Sequence, residues 1–435
     1  MSASDPPLHN VKGDTLRETH AAIDAVWRIE SAKVIAGLAR IVRDVSLAEE
    51  LAQDALVAAL EQWPESGVPD NPGAWLMASA KHRAIDHFRR SEMQERKHAE
   101  IGRDIEAERE TVVADLHAAI DDDFGDDLLR LFFTACHPVL TRDSRVALTL
   151  RLLGGLSTDE VARAFVVPEK AIAQRIVRAK RTLSEARIPF EIPRGTDREE
   201  RLSSVLEVIY LIFNEGYSAT AGEDWMRPAL CDEALRVGRI LAELAPQEPE
   251  VHGLVALMEI QASRARARVG PSGEPILLLD QDRSCWDQLL IRRGFAALER
   301  AEQLGGRRGS YALQASIAAC HARARAADET DWRRIVELYG ELSQITSSPI
   351  VELNRAVAVS MAFGPAAGLE LVDALNEEES LKDYHLLPSV RGDLLRKLGR
   401  LDEAKVEFEN AAAMARNARE RELLLERARM CAPAN

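Results

Sequence analysis

Residues 156–183 have the sequence LSTDEVARAFVVPEKAIAQRIVRAKRTL, which predicts two helices joined by a tight turn. Ser157 and Glu160 have the spacing of a capping box, in which each side chain accepts a hydrogen bond from a free backbone N–H at the start of a helix. Pro168 disfavours helical backbone at Val167 and suits the first turn of the next helix. The pattern is typical of a helix-turn-helix, with an ordinary pair of packed helices as the alternative.

The second predicted helix has an apolar side and a basic side. Its apolar residues follow the 3.6-residue period and are expected to pack inward. These residues are Ile172, Ile176, Ala179 and Leu183. The outer side carries Lys170, Gln174, Arg178 and Arg181. Between residues 168 and 187, six Lys or Arg stand against two Glu, whereas the whole chain has a net charge of −15. A basic island in an acidic chain indicates a local nucleic-acid contact, and a solvated helix face is the alternative.

The composition favours a large, all-α protein. The chain has 435 residues, enough for about three domains. Its hydrophobic content of 46% supports buried cores, and its aromatic content of 5% favours helices over sheets. The net negative charge argues against general adhesion to nucleic acids or membrane surfaces, so DNA binding has to be local.

The cysteines and the N-terminal residues indicate the cellular compartment of the protein. The five cysteines, at positions 136, 231, 285, 320 and 431, form no C-x-x-C pair, which disfavours a disulfide framework and a zinc finger. No apolar run has the length of a membrane span. The first residues, MSASDPPLHN, lack the basic start and apolar core of a signal peptide. We therefore expect a cytoplasmic protein without membrane contact.

The N-terminal part predicts three helices. Residues 1–13 are expected to be disordered, and residues 15–42 and 44–60 to be helical, with Ser46 and Glu49 as a second capping box. Prolines and a glycine in residues 62–72 predict a loop, and residues 73–90 predict a third helix. The second helix has an acidic polar face with Glu49, Glu50, Gln53 and Asp54. The third has a basic surface with Lys81, Arg83, His87, Arg89 and Arg90, for which a solvated face is the alternative.

Residues 100–127 hold eleven Asp or Glu against two Arg, which predicts an extended acidic linker or, alternatively, a polar surface helix. Residues 128–153 are then expected to be helical and apolar. Within them, the adjacent Cys136 and His137 have no matching ligand pair nearby. We expect a buried cysteine and a locally hydrogen-bonded histidine rather than a metal site.

The C-terminal half predicts stacked helical hairpins. Two prolines in residues 189–196 mark a boundary, and regularly spaced breaks interrupt the helical pattern beyond it. Near the end, two sets of residues fall at the offsets of a tetratricopeptide repeat, 36 residues apart. They are Ala356, Gly368, Val372 and Leu375, and then Gly392, Ala404, Phe408 and Ala411. A generic helical bundle is the alternative.

Several stretches together resemble a known family. Residues 15–188 resemble the extracytoplasmic-function (ECF) group of bacterial RNA polymerase sigma factors. The resemblance rests on three stretches in this order: RDVSLAEELAQDALVAAL, NPGAWLMASAKHRAIDHFRR and RIVRAKRTL. The rest of the chain resembles the subgroup with a C-terminal tetratricopeptide-like extension, through the stretches FFTACHPVL, IFNEGYSAT and LLLDQDRSCWD. That subgroup is typically encoded beside small DGPF (YCII-related) proteins, so the resemblance implies such a partner.

The resemblance also implies domains and residue roles. It implies sigma region 2 at residues 14–98, the linker at 99–126, sigma region 4 at 127–188 and the extension at 199–435. The acidic face would dock on the β′ clamp helices of core RNA polymerase, which also offers the β flap. The loop at residues 63–71 would capture a flipped base of the −10 element. The −10 contacts would come from Lys81, Arg83, His87, Arg89 and Arg90. The −35 contacts would come from Lys170, Gln174, Arg175, Arg178 and Arg181. Trp75 matches a family aromatic, for which we favour packing over base stacking.

Other functions fit the sequence less well. A one-component helix-turn-helix regulator with a repeat sensor leaves residues 44–90 unexplained. A repeat scaffold would make the basic helix incidental. No phosphate-binding loop, nucleophile elbow or zinc-protease motif is present, so the sequence predicts neither an enzyme nor a cofactor or metal site. His321 and His385 are expected to be structural.

Overall fold

The structure is a computed structural model that describes residues 11–98 and 124–431, and these ranges form α-helices without a β-strand. The chain forms two compact units, one ending at Val208 and the other beginning at Ile209. Most of the expected disordered start and of the acidic linker, at residues 1–10 and 99–123, lies outside the described residues. The all-α prediction is confirmed.

The first unit holds the helices that carry both predicted binding surfaces. They are α1 (Val11–Val42), α2 (Val45–Ser66), α3 (Pro72–His98), α4 (Phe124–Ala135), α5 (Arg142–Leu152), α6 (Thr158–Phe165), α7 (Glu169–Glu185) and the first part of α8 (Gly195–Tyr217). Helix α1 packs against α2, α3 and α4, and α7 packs against α5 and α6.

Three sequence expectations about the N-terminal helices were wrong. Helix α1 begins at Val11, so residues 11–13 are helical. Ser46 and Glu49 do not cap α2, because Asp44 is the N-cap and accepts a hydrogen bond from the Leu47 N–H at 2.9 Å. The expected loop from residue 62 is helical as far as Ser66, since Pro64 lies inside α2. Proline inside a helix removes one hydrogen bond, and here the buried Trp63 and the rest of α2 outweigh that loss.

The expected apolar helix at residues 128–153 is two helices. Helix α4 ends at Ala135, and Thr141 caps the start of α5 by accepting a hydrogen bond from the Ser144 N–H. Pro138 lies in the turn between them. It has no backbone N–H to donate, and it disfavours helical backbone at the preceding residue. Helix α4 also begins at Phe124, inside the expected linker.

The helix-turn-helix prediction is confirmed. Ser157 and Glu160 form the capping box of α6. Val166 has left-handed backbone with φ of 52°, which turns the chain between α6 and α7. Pro168 is the N-cap of α7, one residue before the first turn. The four apolar positions of α7 are all buried: Ile172, Ile176, Ala179 and Leu183.

The second unit is an array of helices that pack mostly against their neighbours in sequence. After the end of α8 come α9 (Pro228–Leu244), α10 (Pro249–Ala262), α11 (Gln288–Gln303), α12 (Ser310–Arg323), α13 (Trp332–Ile345), α14 (Pro349–Phe363), α15 (Pro365–Leu375), α16 (Leu386–Lys397), α17 (Leu401–Met414) and α18 (Ala418–Met430). Short 3₁₀ turns lie at Ala265–Ala267, Arg283–Cys285, Ala327–Glu329 and Glu379–Leu381.

The two repeat matches coincide with the hairpins α14–α15 and α16–α17. A side chain at Gly392 would lie 3.0 Å from the Phe408 ring, so glycine is what allows α16 and α17 to approach. Ala356, Ala404 and Phe408 are completely buried in the same core. Small residues at the crossings and larger ones between them therefore do what the repeat pattern predicted.

Candidate nucleic-acid interface

Helix α7 presents the basic face that its sequence predicted. Lys170, Gln174, Arg178 and Arg181 are exposed, on the side opposite the buried apolar residues. Arg181 pairs with Glu185 on the same helix at 2.6 Å. Within the ranges that the structure describes, no carboxylate pairs with Lys170 or Arg178. These cations are thus available to a phosphate or a base edge.

Two basic residues of α7 do not belong to this exposed face. Arg175 is half-buried and pairs with Asp143 of α5 at 3.2 Å, so in this arrangement it holds α7 against α5. Lys180 is turned inward and forms an ion pair with Glu49 of α2. Arg175 was placed with the DNA-contacting residues by the family resemblance, which gives no information about its acidic partner on another helix.

The second basic surface lies on α3. His87, Arg89 and Arg90 are exposed, while Lys81 and Arg83 are half-buried. Arg83 lies 3.9 Å from Asp54 of α2. Burial, and secondarily the charge of Arg40, lowers the pKa of Lys81. The exposed part of this surface is therefore its C-terminal end, while Lys81 and Arg83 border α1 and α2.

The segment before α3 differs from the expected base-capturing loop. Trp63 is fully buried within α2, and its ring meets that of Trp75 edge to face with centroids 5.3 Å apart. Residues 67–71 remain as a short loop, whose Asn71 accepts a hydrogen bond from the Ala74 N–H at 3.1 Å. In the structure the half-buried Trp75 ring packs against Trp63.

The residues of the acidic face of α2 differ in how deeply they are buried. Glu50 and Asp54 are exposed, and Gln53 is half-buried. Glu49 is only 3% exposed, and its carboxylate pairs with Arg151 of α5 at 2.7 Å and with Lys180 of α7. Gln53 donates a hydrogen bond to the same carboxylate at 2.6 Å. Glu49 therefore joins α2 to the helix-turn-helix, and we refer to Glu49, Arg151 and Lys180 as the carboxylate clasp.

A second contact joins α1 to the start of α6. Arg28 donates to Glu160 at 2.5 Å, and Glu160 also accepts from the Ser157 N–H at 2.8 Å. Burial raises the pKa of Glu160, but these hydrogen bonds and the Arg28 charge outweigh it, so the pKa lies below its usual value. Gly155 has φ of +65°, and a side chain there would lie 2.9 Å from the Ser31 hydroxyl. Glycine thus permits both the turn and the close approach to α1.

Local sequence patterns do not indicate these contacts. Arg151 lies in an apolar helix and Lys180 in a basic one, and Glu49 is 102 residues before Arg151. The acidic face also carries two exposed apolar side chains that the sequence analysis did not single out, Val57 at 49% and Leu60 at 38% exposure. Their position beside Asp54 extends the face into a mixed acidic and apolar surface.

Cys136 and His137 have the local roles that their sequence context predicted. Cys136 is buried beside the Thr149 hydroxyl, 3.2 Å away, and burial raises its pKa to about 12. His137 Nδ1 accepts a hydrogen bond from the Val139 N–H at 3.1 Å. Among the residues with described positions, no cluster of three or more His, Cys, Asp or Glu side chains could hold a metal ion. None of the described helices has both the length and the apolar character needed to cross a membrane.

Three family matches cover successive parts of the chain. Residues 29–93 match Sigma-70 region 2, and residues 133–183 match Sigma-70 region 4. Residues 201–302 match DUF6596, a family of unknown function. The first match contains both α2 and the basic surface of α3, and the second contains the helix-turn-helix.

The chain is also similar to individual proteins. An uncharacterized protein of Rhizobium meliloti (strain 1021) is 44% identical over 393 residues, which cover 89% of this chain and 90% of that protein. The ECF RNA polymerase sigma factor SigK of Mycobacterium tuberculosis is 30% identical over 148 residues, 33% of this chain and 74% of SigK. SigK of Mycobacterium bovis is similar to the same extent.

Proposed function

Because this chain belongs to the ECF family of RNA polymerase sigma factors and carries a long C-terminal helical extension, we propose that it binds core polymerase and directs promoter recognition and melting. The observation that carries this proposal is the exposed basic face of α7, opposite four buried apolar residues, in the same unit as the acidic face of α2. A transcription initiation factor of this kind acts with its polymerase in the cytoplasm, and we propose no enzymatic step for it.

The −35 element is assigned to the outer face of α7. A recognition helix places its N-terminal residues at base edges in the major groove, where Lys170 and Gln174 lie on α7. Arg178 and Arg181 follow on the same face and suit phosphate or guanine contacts. Arg175 joins this set only if its pairing with Asp143 is broken.

The −10 element is assigned to α3 and the loop before it. Opening a promoter costs about 1.4 kcal/mol of stacking energy for each base-pair step. The exposed His87, Arg89 and Arg90 can offset part of that cost by binding backbone phosphates of the opened strand. The short loop at residues 67–71 is the candidate for holding a flipped base.

Core binding is assigned to the acidic face of α2 and would involve the β′ clamp helices. Glu50, Gln53 and Asp54 supply polar groups at the surface, and Val57 adds apolar area. Glu49 can bind polymerase only after it leaves Arg151 and Lys180. Core contact through Glu49 and the carboxylate clasp therefore exclude each other, whereas Glu50 and Asp54 are accessible while the clasp is formed. Binding of the β flap by the helix-turn-helix part is proposed by family likeness.

The second unit is proposed as a regulatory domain. Arrays of helical hairpins offer extended concave surfaces for a ligand or a protein, and a small DGPF (YCII-related) protein is the partner suggested by resemblance. The alternative is a one-component regulator in which the second unit is the sensor and α7 alone acts on DNA. The match to Sigma-70 region 2 favours the first proposal.

Run-off transcription with purified core polymerase and the full-length chain, on the DNA upstream of its own gene, tests the proposal. We expect a discrete transcript that requires the chain, and co-elution of the chain with core enzyme on gel filtration. A variant with Glu50→Lys and Asp54→Lys should lose both, because it reverses two exposed charges of the α2 face. DNA binding without any association with core polymerase would instead support the one-component regulator.

A further inference from the structure

The second unit contains a cavity of about 490 Å³ among helices α8, α10, α12, α13 and α14. Its volume is within the range of small-molecule sites. Apolar side chains such as Leu257 and Ile317 line part of it, together with the rings of Tyr210 and Tyr339. Its polar lining includes Arg264, Gln314, His321, Ser348 and Asn354. No Asp or Glu is among the lining residues, although the chain as a whole is acidic.

Arg264 is the one Lys or Arg among the described lining residues. Arg268 and Arg283 lie close enough to act on it by charge, while Asp328 and Glu329 act on Arg283 from a longer distance. Within the described part of the chain, Arg264, Arg268 and Arg283 have no Asp or Glu partner within 4.0 Å. Arg264 instead donates to the Tyr217 hydroxyl, and Arg283 donates to the His321 carbonyl at 2.8 Å. Arg268 lies over the Tyr217 ring, 3.5 Å from its centroid. Arg268 is buried, and Arg264 and Arg283 are half-buried. Such cations are costly unless hydrogen bonds or an anion compensate their charge.

His321 adds an unsatisfied polar group at the same place. It is 8% exposed, its ring packs edge to face on Trp332, and its Nδ1 has no hydrogen-bond partner. Burial first, and then the charges of Arg264 and Arg283, lowers its pKa to about 3, so the ring is neutral at physiological pH. A neutral imidazole beside two cations can accept or donate one hydrogen bond.

The N-terminus of α14 also favours a bound anion at this cavity. Ser348 is the N-cap of this helix, makes no side-chain capping bond, and lines the cavity. The positive end of the helix dipole therefore faces a site that already holds Arg264, which favours a negative charge.

We propose that this cavity binds a small organic anion, with its carboxylate or phosphate group at Arg264 and its apolar body against the tyrosine and aliphatic walls. As the effector of a regulatory domain, the ligand rests on the function proposed above, but its binding can be measured without polymerase. The residues that recognise it are Arg264, by charge, and Gln314 and Asn354, by hydrogen bonding.

Calorimetric titration of the full-length chain with phenyl phosphate, benzoate and benzamide tests this proposal. We expect one site per chain for at least one of the two anions, with Kd between about 10 µM and 1 mM, and no measurable binding of neutral benzamide. Binding of phenyl phosphate alone or of benzoate alone would support the site and identify the anion class.

Two variants and two controls locate the binding. Arg264→Gln should weaken the binding about tenfold or more, because it removes the charge of a charge-assisted hydrogen bond. The exposed Arg293→Gln, which removes the same charge outside the cavity, should leave Kd unchanged. Asn354→Asp, on the exposed rim, should also weaken the binding by repulsion, while the exposed Gln247→Glu should not.

Three results would overturn the proposal: no binding of either anion at millimolar concentration, equal binding of benzamide, or an unchanged Kd in the cavity variants. If Arg264→Gln does not fold, Asn354→Asp against Gln247→Glu decides by the same criterion. A chain that binds the anion but fails in run-off transcription would contradict the proposed function and leave the site in place.

Discussion

At the scale of single residues, Glu49 shows how much a side chain's role depends on partners far away in sequence. By spacing alone it belongs with Glu50 and Asp54 on an exposed acidic face. In the structure it is buried, and Arg151 and Lys180 neutralise it. Nothing in the local pattern distinguishes it from its exposed neighbour Glu50, since helical period reports which face a residue occupies and not what covers that face.

Replacing Glu49 with Gln should destabilise the first unit. Arg151 and Lys180 would be left half-buried without their anion, at a cost of about 3 kcal/mol. Hydrogen exchange of α5 and α7 amides would measure the loss. Glu50→Gln, which changes the exposed neighbour, should shift the same amides by less than about 0.5 kcal/mol. Equal effects of the two substitutions would contradict the carboxylate clasp.

Arg178→Ala should weaken binding of a −35 duplex by roughly 5- to 150-fold, the range for loss of one base or phosphate contact. Fluorescence anisotropy with the core-bound chain would measure it. Affinity for core polymerase should stay the same, since Arg178 lies on the outer face of α7. The matched control is Arg429→Ala, an exposed arginine at the end of α18. Loss of core binding together with DNA binding would indicate misfolding instead.

His321 predicts a pH dependence of stability in the second unit. Its folded pKa of about 3 is below the value near 6.5 of an unfolded histidine, so the unfolded state binds the proton first. Its contribution is complete above about pH 6.5 and decreases as pH falls, by up to about 1.4 kcal/mol per pH unit, until pH approaches 3. Urea unfolding of wild type and His321→Gln at pH 7.5 and 5.5 would measure this contribution. Between the two pH values, the free energy of unfolding should decrease less in the variant than in wild type.

At the scale of elements, the sequence identified the helix-turn-helix well because its signals are local. A capping box and a 3.6-residue apolar period each act within a few residues and were found where they were expected, and Pro168 lies one residue before the turn that it was expected to join. The end of α2 was predicted too early, because the three prolines and the glycine of residues 62–72 indicated a loop that in fact begins after Ser66. The buried Trp63 packs against Trp75 of the next helix, and a local rule cannot include that contact.

Two helical glycines offer a matched test of helix packing. At Gly368 a side chain would lie 2.5 Å from Ser360 Cβ and 2.9 Å from the Ala356 carbonyl oxygen, whereas at Gly340 nothing lies within 4 Å. Gly368→Ala should therefore destabilise the α14–α15 hairpin by about 1–3 kcal/mol. Gly340→Ala should stabilise α13 by about 0.5–1 kcal/mol, because alanine favours helix. Thermal unfolding of both variants gives the comparison, and a common sign would contradict the packing.

At the scale of the whole molecule, the order of the parts was predictable and the long-range contacts were not. Two motifs in sequence order, followed by helical repeats, indicated the family and the all-α architecture. The cavity of the second unit draws its lining from five helices spread over about 140 residues, from Tyr210 to Asn354. The clasp joins helices separated by more than 100 residues. Periodicity contains no information about such pairings.

Truncation after Val208 tests the proposed role of the second unit. This end point keeps the bonds of Arg145 to Ser204 and Glu207, and of Ser204 to the Cys136 carbonyl, so the first unit retains its own contacts. We expect run-off transcription to change at least about fivefold relative to full length, the lower range of regulatory coupling. Circular dichroism should show that the fragment remains helical. A chain ending at Cys431 is the control, and an unchanged transcript from the shorter fragment would exclude a regulatory role in this assay.

The carboxylate clasp also constrains how such a protein can diverge. Changes at Lys170, Gln174 or Arg178 alter only the exposed face of α7, so lineages can acquire new target sites there without loss of the fold. Lys180, two residues beyond Arg178 on the same helix, has no such freedom, since its replacement would leave Glu49 with a single cation. In descendants of this gene, promoter preference should therefore change by substitutions in the first two turns and on the exposed face of α7, whereas position 180 should change only together with position 49.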